Sequence, residues 1–379
     1  MTGNRNKIII IGGGFSGTAA LKALRRYGSE LNIVLIDKKK DFEFLPLLPN
    51  VISSRLSEKS LAIDLKSFCK RYGAEFVNDE AVSIDFVLKR VVTKNAIFSY
   101  DYLIVASGAT NNFYGNKDAR QLAFKLYSIS DAILLRDTVQ SGKHDNFVII
   151  GGGYTGIEIA TNIWRNLKKT GREKNIYIVE RSSKLLSSLP DGLSSYTTDN
   201  LKRLQINVLY NASVKNIQKD FIILSDGRAI KNALIVWAAG VKTSDYMDNF
   251  GIALAVQGRL KVDEFLQFED SCFAVGDSAN LLVSGTAARM AINVSLYEGA
   301  SAGENLIRKI KGKPLKKFKP VDLGYIIPMA NGRSCGLVLG REVYGILPTF
   351  LHYMMCAYRS VTLRNKLEIL SEWIKGGIV

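Results

Sequence analysis

Histidine and cysteine are scarce in this chain of 379 residues: His144 and His352, and Cys69, Cys272, Cys335 and Cys356. The cysteines are scattered without a CxxC spacing, which excludes a disulfide scaffold and a zinc site built on clustered ligands. Neither histidine lies near a nucleophile motif and no HExxH occurs, so a histidine-based triad or metal centre has no signature here. Long hydrophobic runs are missing too. None approaches the roughly 18 to 20 residues that span a bilayer. The first apolar stretch, Lys7-Ile8-Ile9-Ile10-Ile11, passes at once into glycines, without the longer apolar region and cleavage site of a signal peptide, and none is expected. Acids are the under-represented charge: 35 Asp+Glu against 51 Lys+Arg give a formal charge of +16. That excess points to a polyanionic partner, either nucleic acid or an anionic membrane surface. A 47% hydrophobic and 23% charged composition excludes disordered and fibrous classes, and the length accommodates two to three domains.

Glycine, by contrast, is abundant and patterned. A β-rich apolar run ends in Gly12-Gly13-Gly14-Phe15-Ser16-Gly17, and Phe147-Val148-Ile149-Ile150 ends in Gly151-Gly152-Gly153-Tyr154-Thr155-Gly156. Both are GxGxxG and both lead into helical patterns, Thr18 to Tyr27 and Ile157 to Lys168. A short strand follows each, Asn32 to Ile36 and Asn175 to Val179, and an acid follows each strand, Asp37 and Glu180. One such loop is a common turn. Strand, loop, helix and acid repeated in the same order predict two dinucleotide-binding units. The first glycine makes the tight turn, the second admits a pyrophosphate to the backbone, and the third lets helix pack on strand. The diphosphate sits at the helix N-terminus, where free N–H groups and the dipole favour negative charge. The carboxylate accepts hydrogen bonds from the adenosine ribose. FAD with a diffusible nicotinamide is the economical pairing, because hydride passes directly between them. Gly12, Gly14, Phe15, Ser16, Gly17, Asp37 and Lys38 are thus the first flavin candidates. Gly151, Gly153, Tyr154, Thr155, Gly156 and Glu180 are the nicotinamide ones. Glu180 favours NADH over NADPH because it repels a 2′-phosphate, although adjacent Arg181 works against this.

Three further buried strands end in small residues that let the chain pass close to a cofactor. Tyr100 to Ala106 leads into Ser107-Gly108, Ala233 to Trp237 into Ala238-Ala239-Gly240, and Ser271 to Val275 into Gly276-Asp277-Ser278. Ala106, Ser107, Gly108, Gly276 and Asp277 therefore join the flavin set, with Val82, and Ala239 and Gly240 the nicotinamide set. Asp277 either binds the ribityl hydroxyls or caps a turn. Gly285 to Ile310 reads as one long helix containing Ala291. Its N-terminus either stabilises an anionic reduced flavin or merely packs on the sheet.

These residues resemble the two-dinucleotide flavoprotein reductases, and among them the type II NADH dehydrogenases, or NADH:quinone oxidoreductases. The resemblance covers nearly the whole chain. It is carried by Asp41-Phe42-Glu43-Phe44-Leu45-Pro46-Leu47-Leu48, by Tyr100-Asp101-Tyr102-Leu103-Ile104-Val105-Ala106-Ser107-Gly108, by Val236-Trp237-Ala238-Ala239-Gly240-Val241 and by Phe273-Ala274-Val275-Gly276-Asp277. It implies that hydride passes from NADH to FAD and two electrons on to a membrane quinone, in a respiratory chain, without proton pumping. It implies a catalytic role for Glu158, which stands where the family carries a Glu close to the nicotinamide and flavin. The family's AQxxxQ pattern falls on Ile292, Asn293 and Tyr297, so Asn293 and Tyr297 become altered quinone candidates. The cysteines exclude disulfide reductases, which need a CxxxxC pair, and argue against sulfide:quinone reductases, which need a redox cysteine from mid-chain. A sulfide:quinone or ferredoxin-type flavoprotein reductase remains the alternative within this architecture, and a non-catalytic, redox-responsive flavin-binding module the alternative outside it.

The last 79 residues carry thirteen basic residues against five acids, half of the total charge. They also carry Ile346 to Arg359, apolar and aromatic, too short to span, and then Asn365 to Ile374. An apolar face with basic flanks suits an interfacial helix on anionic lipid. The type II dehydrogenases resemble the chain here too, since their C-terminal helices anchor them to one leaflet. Dimerisation, giving a homodimer, or docking on the domain's own core are the alternatives. No groove-reading motif or interleaved aromatic platform supports nucleic acid. The expected fold is α/β, two Rossmann-like dinucleotide-binding domains plus a small C-terminal membrane-facing region. The FAD domain would comprise 1–110 and 241–330, the NAD domain 111–240, and the amphipathic region 331–379. The expected location is peripheral, on the cytoplasmic face of the cell membrane.

Overall fold

The computed structural model describes residues 6–28, 30–283, 285–360 and 362–376. The side chains of Glu372 and Lys375 and residues 377–379 of the C-terminal segment lie outside the described residues. Two βαβ units recur. In the first, β1 (Lys7–Ile11), α1 (Phe15–Tyr27) and β2 (Asn32–Asp37) run so that the strands are parallel, from Lys7 opposite Asn32 to Ile11 opposite Ile36. In the second, β3 (Asn146–Ile150), α2 (Tyr154–Lys169) and β4 (Asn175–Val179) pair from Asn146 opposite Asn175 to Ile150 opposite Val179. Both helices start three residues before the expected Thr18 and Ile157, because the last three residues of each GxGxxG form the first helical turn. That turn is possible only with glycine at its third position. A Cβ on Gly17 would stand 1.9 Å from the Gly12 carbonyl oxygen, and one on Gly156 1.9 Å from that of Gly151.

The chain divides into two compact units: Met1–Phe42, Ile63–Thr110 and Val241–Asp322, and Glu43–Ala62, Asn111–Gly240 and Leu323–Val379. The first is built on a six-stranded sheet in the order Gln267–Glu269, Cys272–Ala274, Tyr102–Val105, β1, β2, Glu75–Asn78, parallel except at the Gln267–Glu269 edge. Ile9, Ile11, Val34 and Ile36 join Val91, Tyr100 and Met247 in one core, while Ile8, Ile10, Ile33 and Leu35 are equally buried on the other face. Burial on both faces is why these strands read as continuous apolar runs, and each such isoleucine contributes roughly 1.5–3 kcal/mol of transfer free energy. The helix α3 (Ile292–Ile310) packs along α1, with Gly299 against the Ser16 backbone and Gly303 against Ala20. The expected helix start at Gly285 is corrected. Leu282–Val283 and Thr286–Ala287 pair as an antiparallel hairpin, and the Ala288 N–H donates to the Leu281 carbonyl at 2.8 Å. Those bonds withhold the stretch from the i to i−4 ladder, and Ala291 becomes the N-cap.

The second unit has a four-stranded parallel sheet in the order Asn207–Leu209, β4, β3, Ala233–Trp237. The β-like segment expected at Val321 to Leu339 forms strands Gly324–Ile327 and Ser334–Val338, joined by Arg341–Gly345 in an antiparallel sheet. Helices α4 (Ile346–Arg359) and α5 (Leu363–Gly376) follow. Residues 43–62, expected with the first dinucleotide domain, and 331–379, expected as a region of its own, pack within this unit. Polar side chains tie them in: Asn365 Nδ2 donates to the Ser60 carbonyl at 2.7 Å and Asn166 Nδ2 to that of Ile52 at 2.6 Å. Ser53 Oγ donates to Asn162 at 2.7 Å, and the Tyr353 hydroxyl donates to Asn50.

Two candidate dinucleotide sites

The two glycine loops are superimposable in their chemistry. Gly12 has φ +105° and Gly151 φ +111°, the left-handed half of backbone space that favours glycine. A Cβ on Gly12 would meet the Ala106 carbonyl at 2.2 Å, and one on Gly151 the Ala238 carbonyl at 2.9 Å. The first glycine of each loop is therefore required by the backbone that follows the neighbouring strand, Ala106–Ser107 in one unit and Ala238–Ala239 in the other. The Gly13 N–H donates to Asp37 Oδ2 at 2.6 Å, and the Gly152 N–H to Glu180 Oε2 at 2.7 Å. The second oxygens accept from the Lys39 and Ser182 N–H groups at 2.7 and 2.8 Å. Each carboxylate is thus fixed by two backbone donors with lone pairs left for a ribose diol. Burial, the largest influence, pushes the Asp37 carboxyl up against the lowering pull of those two bonds. Gly14 and Gly153 are extended N-caps without a side-chain cap, and nothing lies within 4 Å of a Cβ built on either. Open space before a helix N-terminus, beside a fixed carboxylate, fits a nucleotide diphosphate in both units.

In the first unit the flavin candidates converge. Gly276 (φ +66°) lies so close to Ser16 that a Cβ would come within 2.7 Å of its Oγ. Ser278 Oγ accepts the Gly108 N–H at 3.0 Å and stands 3.3 Å from Ser107 Oγ. The turn Gly276–Ser278 therefore touches both Ser16 and the Ser107–Gly108 segment beside buried Ala106. Ser278, which no motif had singled out, is the bridge. Among the described residues no side-chain hydrogen bond ties Asp277 to its turn; burial pushes its carboxyl up, opposed by Arg259. Ala291 caps α3 in extended conformation with no side-chain cap. Val82 is half-buried on strand Ala81–Asp85, and Lys38 is exposed with its Nζ 3.3 Å from Glu80. Asn293 is buried and its Nδ2 donates to the Val321 carbonyl at 3.2 Å, whereas Tyr297, one turn on, is 47% exposed. The amide read as a quinone ligand is thus engaged in holding its own unit.

In the second unit the Trp237 Nε1–H donates to the Asn112 and Ala239 carbonyls at 2.9 and 3.0 Å, which fixes the Ala239–Gly240 turn. Gly240 (φ +72°) lies under Tyr114, whose hydroxyl a Cβ would meet at 2.2 Å. Tyr154 meets Tyr325 edge to face at 5.5 Å, and Thr155 is exposed. Glu158, on the second turn of α2, lines a small cavity with Asn50, Asn162, Pro328 and Tyr353. It keeps some solvent contact, yet enough protein surrounds it for burial to push its carboxyl up to about 8. Tyr353 is buried, stacked on Trp373 at 5.3 Å and lying under the Arg55 guanidinium at 4.9 Å. Asn50, Asn162 and Tyr353 come from three distant stretches and carry no sequence signature.

All four cysteines are free and buried. Burial pushes the thiols of Cys69 and Cys356 up to about 12 and that of Cys272 up to about 11, far from the thiolate that redox chemistry needs. Among the described residues no group of His, Cys, Asp and Glu could hold a metal ion, and no helix is long and apolar enough to cross a membrane.

Comparison with known proteins bears on these sites. A type II NADH:quinone oxidoreductase of Haemophilus influenzae is 25% identical over 426 aligned residues, covering 98% of this chain and 96% of its own. One from Staphylococcus haemolyticus is 24% identical, covering 93% and 94%. Among solved structures, NDH2 from Plasmodium falciparum in complex with NADH aligns with a TM-score of 0.87 at 18% identity, over 98% of both chains. The sulfide:quinone oxidoreductase of Aquifex aeolicus aligns at 0.80 and 18% identity, over 98% of this chain and 92% of its own. At these identities the structures speak for the fold, two Rossmann-like domains and a short C-terminal region. The family described as pyridine nucleotide-disulphide oxidoreductase matches residues 6–299, across both glycine loops and the Gly276–Asp277 turn, and the chain belongs to that family.

Proposed function

We propose that the chain is an FAD-dependent NADH:quinone oxidoreductase of the non-pumping, type II class. The observation that carries this is the paired geometry of Gly13 with Asp37 and Gly152 with Glu180 in a chain whose thiols are all buried and unpaired. Whole-length similarity to enzymes of that name supports it. When bound, FAD would supply the redox chemistry, accepting hydride from NADH and returning two electrons to a quinone. The chain's own residues bind and orient. Gly12, Gly14 and Gly17 admit the FAD diphosphate to α1, and Asp37 holds its ribose. Gly151, Gly153, Gly156 and Glu180 do the same for NADH on α2. Glu158 is protonated at neutral pH and serves as a proton source within reach of the Asn50, Asn162 and Tyr353 polar groups. Tyr297 remains a quinone contact; Asn293 acts by holding α3 in place. Sulfide oxidation is disfavoured by thiols held far from ionisation. Steady-state assays with NADH and a quinone analogue, with NADH and a ferredoxin, and with sulfide as donor to the quinone analogue test the assignment: turnover with NADH and quinone alone is the expected result, and turnover in either of the other assays without it refutes the assignment.

The acceptor's lipid solubility gives α4 and α5 a purpose. Ile346, Leu347, Phe350, Met354 and Tyr358 recur at helical spacing on α4 and are all exposed, as are Leu363, Leu367 and Ile374 on α5. Basic Arg359, Arg364 and Lys366 flank them. This face lies on an anionic bilayer surface, peripherally and from the cytoplasmic side. The stretch Arg308–Lys319 contributes less than its charge suggests, because Arg308, Lys309, Lys316 and Lys317 pair with Glu304, Asp270, Glu304 and Glu264. Changing Leu347 and Phe350 together to Glu should release the protein from anionic vesicles. Undiminished co-sedimentation, or a dimer on sizing that the change dissolves, would contradict the membrane assignment.

A further inference from the structure

Glu298 is a carboxylate on the buried stripe of α3, four residues after Val294 and four before Ala302, and it is 1% exposed. Its Oε2 accepts the Gly276 N–H at 2.6 Å, while Oε1 is buried without a hydrogen-bond partner. A buried charge with one oxygen unsatisfied is costly, and an apolar residue would serve packing better. Its neighbours give it a role. The turn it holds begins at Gly276, whose Cβ would come within 2.7 Å of Ser16 Oγ and 3.3 Å of Ser295 Oγ. The next residue, Gly299, lies against Ser16 itself, its Cβ 2.1 Å from the Ser16 carbonyl. One turn of α3 therefore presses on both halves of the flavin cradle, the glycine loop and the Gly276–Asp277 turn.

The charges facing Glu298 are few. Asp277 comes from the turn and Arg259 from the segment before strand Leu260–Lys261; α1 presents Ser16 and Ala20, and α3 adds Ser295. The Arg259 guanidinium is buried, its Nε on the Ala279 carbonyl at 2.7 Å and its Nη2 on that of Ala288 at 3.2 Å. One buried guanidinium thus faces two carboxylates, which favours a proton on one of them.

We propose that Glu298 is a positioning residue of the flavin site: its carboxyl holds the Gly276–Asp277 turn onto α1 through the Gly276 N–H, and ionisation, which sets its charge against the Asp277 carboxylate of the same turn, loosens the hold on FAD. The inference rests on reading Gly276–Asp277 as part of the flavin site. Burial, opposed by the Gly276 N–H and by Arg259, pushes the Glu298 carboxyl up to about 8. The clamp is therefore intact below that pH and weakens above it.

FAD dissociation from the holoprotein, read as the rise of free-flavin fluorescence on dilution between pH 6 and 9.5, tests this. In the wild type the dissociation constant should rise about tenfold above pH 8, because one proton is linked to release. Glu298→Gln keeps an acceptor for Gly276 and cannot ionise, so it should bind FAD like the wild type at pH 7 and lose the rise. Glu298→Leu removes the acceptor and should weaken FAD about tenfold throughout. Asp277→Asn, measured beside them, tests the underlying reading. If Asp277→Asn weakens FAD while Glu298→Gln keeps the wild-type pH dependence, the clamp is refuted and the flavin site stands. If Asp277→Asn binds FAD as the wild type does, the reading of the turn fails and the inference with it. Should Glu298→Leu not fold, the Glu298→Gln pH profile decides alone.

Discussion

The Gly152 N–H donates to Glu180 Oε2 at 2.7 Å, and the Ser182 N–H donates to the other oxygen at 2.8 Å. A carboxylate held on both sides by backbone cannot turn away from a nucleotide on α2. A 2′-phosphate placed there meets fixed negative charge, worth about 4 kcal/mol for unit charges 4 Å apart at an effective dielectric of 20. Glu180→Ser should therefore raise the ratio of kcat/KM for NADPH to that for NADH by roughly a hundredfold or more. An unchanged ratio in steady-state assays would place the adenosine elsewhere.

The glycine pair separates the two sites. A Cβ on Gly17 or on Gly156 would stand 1.9 Å from a carbonyl oxygen, a distance no side chain occupies without displacing the loop. Gly17→Ala should purify with little flavin absorbance. Gly156→Ala should keep its flavin and lose NADH binding, seen as an NADH dissociation constant at least tenfold higher. Loss of flavin from both would mean that the second loop does not serve the nicotinamide alone.

Glu158 gives a pH signature of stability. Its folded carboxyl is raised to about 8 from an ordinary 4.5, so the folded state keeps a proton that the unfolded chain has released. Stability is therefore lost as pH rises from about 4.5 to about 8 and is level above. Glu158→Gln carries no such loss. Thermal denaturation should show the variant's Tm close to the wild type at pH 4.5 and increasingly above it towards pH 8.5. A constant difference across that range would contradict the buried, protonated state.

The same residue predicts a rate effect. If Glu158 supplies a proton when quinone is reduced, flavin reoxidation by a quinone analogue should slow as pH rises through about 8, and Glu158→Gln should flatten that profile. A wild-type profile in the variant would move the proton source to another group.

How much of this was legible in the chain follows from the range of each interaction. The glycine loops and their acids are local, within 30 residues, and their physical reasons act at each position separately, so Gly12, Asp37, Gly151 and Glu180 could be read directly. The packing of 43–62 and 331–379 into the second unit could not, because it hangs on pairs such as Tyr353 with Asn50 and Asn365 with Ser60, 303 and 305 residues apart. The late start of α3 was hidden for a different reason. Ala288 and its neighbours have good helical propensity, and a hairpin bond to Leu281 overrides it. Glu298 was not singled out by any motif, and only its contact with Gly276 gives the charge a purpose.

Electron flow through the holoprotein is the decisive measurement. Anaerobic addition of one equivalent of NADH should bleach the flavin, and a subsequent equivalent of a quinone analogue, with anionic lipid present, should restore its absorbance in full. Bleaching by NADH that quinone cannot reverse would contradict the central claim.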